Sequence, residues 1–180
     1  MRTISPFLLA ALAVAAPSAA QTPGEVAIGS GEEVLVRAGD DGALTIERRS
    51  RAAPMTDFDR RTLRKLAAVE VPPGTVAPGL PMQDKAARDT PIAAGKLRIT
   101  LRDVAARTPH DTLLVIENGY GDGVRYRAVM RRGERAEPTD VCLVLPGKRA
   151  YEYWPYPIER LDLSAFRLVP WKPEDGLPCA

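Results

Sequence analysis

The sequence predicts a mainly β domain: a β-sandwich with one short helix and a long proline-rich loop. Three observations carry that reading. Short runs with alternating or continuous apolar residues recur between turn-forming residues. One segment alone, around Leu63, repeats its apolar residues at helical spacing. Between them the chain crosses a stretch dense in Pro and Gly.

Residues 1–20 read as a secretory signal peptide. Arg2 precedes an apolar run from Phe7 to Ala16, and Ser18-Ala19-Ala20 supplies small residues for cleavage near Ala20. The run is about half the length that a membrane span needs. No cysteine follows the cleavage site to carry a lipid. The expected mature chain, 21–180, is one β-rich domain without a membrane span, periplasmic or secreted.

Within 31–70, Glu33–Arg37 and Ala43–Glu47 flank an Asp-Gly turn and read as a hairpin. Phe58, Thr62, Leu63, Leu66 and Val69 then fall on one helical face, with Thr56 or Asp57 as N-cap. Residues 71–95 hold Pro72, Pro73, Pro78, Pro81 and Pro91, an irregular crossing segment.

The main strands occupy 96–170. Leu97–Arg102 and Val124–Arg131 alternate, each with one polar face. Leu113–Ile116 and Val141–Leu145 are apolar on both faces and read as central strands. Ala150–Trp154, Ile158–Leu163 and Phe166–Val169 complete the count, and 171–180 is a tail. A sandwich strand normally turns one face to water. The doubly apolar strands therefore require a cover, either the helix around Leu63 or a second copy of the chain in a homodimer.

Cys142 and Cys179 are the two cysteines, and in an oxidising compartment they read as one disulfide. Several strands with one disulfide, and Trp154 between its cysteines, resemble an immunoglobulin-like sandwich in outline. The resemblance is architectural and implies no function. It departs from that pattern at Cys179, which sits in a proline-rich tail rather than a strand.

Composition narrows the function classes. A formal net charge of +2, one unit lower once Arg2 is removed, is too near neutral for a dedicated nucleic-acid binder. His110, the single histidine, has no Gly-x-Ser-x-Gly nucleophile elbow to serve. One histidine and two distant cysteines do not make a zinc site, and Asp40-Asp41-Gly42 lacks the spacing of a calcium loop. Gly119-Tyr120-Gly121-Asp122-Gly123 lacks the order of a phosphate loop, and its glycines read as a tight connection needing positive φ. The sequence thus carries no catalytic signature and implies no cofactor.

Two features remain as candidate binding surfaces. Arg125, Arg127 and Arg131 share one face of a strand, which suits either a solvated face or a dock for an acidic partner or anionic envelope polymer. Tyr151, Tyr153, Trp154 and Tyr156 cluster around Pro155 and Pro157, although aromatics make up only 6% of the chain. They read as a sandwich corner or, alternatively, a platform for a sugar or small ligand. The expected function is that of an exported accessory protein binding a protein or envelope component.

Overall fold

The computed structural model describes residues 24–39, 43–68 and 92–179. The signal segment, the tip of the first hairpin and most of the proline-rich crossing lie outside those residues.

Alternating apolar residues build two antiparallel sheets. Strands β1 (Val26–Gly29), β9 (Arg160–Val169), β6 (Gly123–Arg132) and β7 (Arg135–Thr139) form one, in that order. Strands β3 (Leu44–Arg51), β2 (Glu32–Ala38), β4 (Leu97–Val104), β5 (Asp111–Asn118) and β8 (Arg149–Trp154) form the other. Their facing sides share one core, which includes Ile28, Val34, Ile99, Ile116, Tyr126 and Leu163. The sandwich expectation holds.

The cover for the doubly apolar β5 is helix α1 (Asp57–Ala68). Every residue of β5 is buried. Leu114 and Ile116 enter the inter-sheet core, while Leu113 and Val115 lie on the outer face beneath Phe58, Leu63 and Leu66. Burial of each such side chain stabilises by roughly 2 kcal/mol. Thr56 is the helix N-cap: its Oγ1 accepts from the Asp59 N–H, and Asp59 accepts from the Thr56 N–H, a reciprocal cap. Asp59 also accepts from the Tyr151 hydroxyl at 2.9 Å, so one carboxylate caps the helix and ties it to β8.

Val141–Leu145 is not a central strand. Apart from single bridges, Val124 to Val144 and Cys142 to Cys179, it is irregular. Its backbone is satisfied from elsewhere. Asn118 Nδ2 donates to the carbonyls of Val144 and Leu145, Cys142 N donates to Glu152, and Leu143 N donates to Pro178 O. The continuous apolar run reflects burial, since all five residues are buried, and not membership of a sheet. The disulfide Cys142–Cys179, spanning 37 residues, fastens this segment to the tail. On the chain-entropy account such a loop contributes roughly 4 kcal/mol. It does not bridge the two sheets as in an immunoglobulin domain.

The expected Ile158–Leu163 and Phe166–Val169 strands are one strand, β9, broken in phase by a bulge. Arg125 pairs with Arg167 but Arg127 pairs with Ser164, so β9 carries an extra residue there. Ala165 occupies φ 54°, and the shift lets Leu163 and Phe166 both point inward. The glycines of 119–123 have no positive φ. Gly119 is instead fixed by close approach, because a Cβ there would lie 1.9 Å from the Ala93 carbonyl oxygen.

Candidate functional site

The aromatic stretch is a corner. Tyr151 is 1% exposed and packs at 6.1 Å between ring centres from Phe58, under α1. Trp154 is buried on the opposite, inter-sheet side, where its Nε1 donates to Thr139. Tyr153 is partly buried beside Tyr151, and its hydroxyl donates to Asp111 at 2.7 Å. Tyr156 packs against the inter-sheet core with the Arg132 guanidinium 4.5 Å over its ring. Pro155 and Pro157 have no N–H to leave unpaired. Of the backbone groups beside them, Tyr156 O accepts from the buried Thr112 hydroxyl and Ile158 N donates to it, each at 2.9 Å. Tyr151 and Trp154 are thus unavailable as an exposed platform, because the strand alternation sends one into each core.

Besides Asp59, the buried carboxyl groups Asp111 and Glu152 accompany this corner. Asp111 is fully buried, which alone would raise its pKa. Bonds from the Thr108 and Tyr153 hydroxyls and from the Arg107 and Thr108 N–H groups outweigh burial and hold it at about 2. Asp111 therefore organises the β4–β5 loop and is not the partner of His110, whose Nδ1 lies 3.4 Å from Asp103 on the surface. Glu152 faces the inter-sheet core, where burial pushes its pKa up to about 7. Among the described residues no group of three His, Cys, Asp or Glu side chains could hold a metal ion.

The arginines present a different picture. Arg125 and Arg127 are exposed on the outer face of the four-stranded sheet, and Arg131 lies on the same face, partly buried. Pairing with β9 adds two residues that the linear sequence did not associate with them. Arg167 stands directly opposite Arg125, and Arg160 directly opposite Arg131. The two like-charged pairs are treated differently. Asp162 neutralises the second, accepting from Arg131 Nε at 2.7 Å and from Arg160 Nε at 2.9 Å. No carboxylate among the described residues pairs with Arg125, Arg127 or Arg167. Like charges directly opposite on a sheet are destabilising. The strained Ala165 lies in the bulge beside them. The site is therefore a row of three guanidinium groups, none paired with a carboxylate among the described residues, on the outer face of the four-stranded sheet. Compared with known proteins, the chain matches no protein family, no curated protein and no solved structure.

Arg167 escaped the sequence reading because the pairing of β6 with β9 is non-local. The alternation Phe166-Arg167-Leu168 was the only signal that it faced outward. Among the described residues no helix is long and apolar enough to cross a membrane. The disulfide is compatible with an exported protein.

Proposed function

We propose that this protein is an exported, non-enzymatic accessory protein that docks an acidic protein partner on the Arg125–Arg127–Arg167 face. The observation that supports the reading most is the contrast on one sheet. Asp162 compensates the Arg131–Arg160 pair, whereas no carboxylate among the described residues does so for the Arg125–Arg167 pair. A face selected only to stay solvated gains nothing from facing like charges, while a carboxylate-rich surface would satisfy all three forks at once. The outer face of a sheet suits a protein surface better than a small ligand, which needs concavity.

A photoreactive residue placed at Ser164, opposite Arg127 on this face, tests the reading. In cells producing the protein it should give a discrete crosslinked species. That species should vanish in an Arg125→Glu, Arg127→Glu, Arg167→Glu variant and be absent when the photoreactive residue stands at Arg37, on the other sheet. Equal crosslinking from both positions contradicts it.

A further inference from the structure

On the other sheet, the β1–β2 turn, the end of β3 with the segment leading to α1, and β4 frame a cleft of about 800 Å³. Five charged side chains line it: Glu32, Arg49, Arg51, Arg102 and Asp103. Three already have partners. Arg49 bonds Glu32 at 2.6 Å, and Asp103 lies 3.4 Å from the His110 ring. Arg51 and Arg102 have no ion pair or side-chain hydrogen bond among the described residues. Arg51 is exposed at the rim, whereas Arg102 is partly buried within the sheet face. The hydroxyl-bearing Ser30 and Ser50 also line the cleft.

A partly buried guanidinium with no carboxylate bonded to it among the described residues is unusual, because even partial desolvation is normally offset by a partner. Burial lowers the pKa of Arg102, with Asp59 and Glu33 near enough to oppose the shift but not to bond. Both observations describe a donor fork with no bonded acceptor among the described residues. The volume matches a small-molecule site rather than a macromolecular dock.

We infer that this cleft is a binding site for a small oxyanion, a carboxylate or phosphate group on a compact solute, held by Arg102 with Arg51 at the rim. The fork of Arg102 takes two oxygens, and the neighbouring hydroxyls can donate to the remainder. Glu32 and Asp103 disfavour anions too large to keep away from them. The site stands independently of the arginine face on the opposite sheet.

The test is a titration of the full mature protein with inorganic phosphate and, separately, malonate, following the Arg102 Nε–H resonance by NMR. A saturable shift with a dissociation constant in the millimolar range or tighter is expected for at least one anion, and which one responds separates phosphate from carboxylate. Arg102→Gln should weaken that binding by about tenfold or more, measured by calorimetry. Without anion, Arg102→Gln should keep or raise the melting temperature, since it removes a partly desolvated charge that no carboxylate among the described residues bonds. Arg61→Ala, Lys65→Ala, on the exposed face of α1 and outside the cleft, should bind as wild type. Unchanged binding in Arg102→Gln, or no saturable response to either anion, overturns the inference. So does a melting temperature lowered by Arg102→Gln with binding intact, which marks a structural arginine.

Discussion

Arg125 and Arg167 stand directly opposite each other across β6 and β9, one residue from a bulge whose extra residue, Ala165, is held at φ 54°. Two locally unfavourable features thus meet at one point of a sheet that is otherwise well paired. Substituting Arg167→Glu turns the like pair into an opposite one. It should raise stability by about 0.2–1 kcal/mol in low salt, with the gain fading as salt rises. Denaturant melts at two ionic strengths read this directly.

Ala165 provides a second, separable test. A non-glycine residue in the left-handed region costs roughly 1 kcal/mol, and glycine removes that strain while loosening the unfolded chain. Ala165→Gly is expected to be neutral to about 1 kcal/mol stabilising, whereas Ala165→Val, β-branched at the same φ, should destabilise by more than that. Urea unfolding of the two variants checks the sign.

The pH dependence should carry the mark of Glu152. Its folded pKa of about 7 lies above the ordinary 4.5, so the fold favours the protonated acid. That stability is complete below pH 4.5 and fades as pH rises to 7, a loss of up to about 3 kcal/mol. Asp111 acts in the opposite sense: depressed to about 2, it stabilises above its ordinary 3.8 and loses that contribution as pH falls through 2. Glu152→Gln should therefore flatten the decline between pH 5 and pH 7.5 and leave the acid limb intact. Melting temperatures across that range give the answer.

Asn118 anchors the irregular 141–145 segment. It is fully buried and donates to three carbonyls, those of Asp122, Val144 and Leu145, while its Oδ1 accepts from Tyr120 N. Asn118→Leu strands those groups and should cost about 2–4 kcal/mol. Amide exchange is expected to accelerate first at Leu143 and Val144, ahead of the β4–β5 ladder.

The elements legible in the sequence were those whose signal is local. The β2–β3 hairpin, α1, β4, β5, β6 and β8 each announce themselves by period or turn residues, and the need for a cover on β5 followed from its two apolar faces. Short β1 and proline-containing β7 went unread, because four residues or a Pro138 give little pattern. The bulge at Ala165 split β9 in two by reversing its alternation, so a phase break passed for a strand boundary. Val141–Leu145 misled for the opposite reason: burial by side-chain and tail contacts leaves the same apolar run as a central strand. At the candidate site, Arg125, Arg127 and Arg131 were visible as one face. Their inequality was not, since it depends on Asp162 and Arg167 arriving from a strand more than thirty residues away.

On the proposed function, the Arg125–Arg127–Arg167 face, and not net basic charge, recognises acidic surfaces. Fluorescence anisotropy of a labelled glutamate-rich peptide tests it most directly, comparing wild type with two variants that each lose three positive charges. One replaces Arg125, Arg127 and Arg167 by Ala, and the other replaces Arg61, Arg64 and Lys65 on the exposed face of α1. The expected result is salt-sensitive binding by wild type and the helix variant, and a loss of about tenfold or more in the sheet variant. Equal weakening in both variants, or none in the sheet variant, would contradict it.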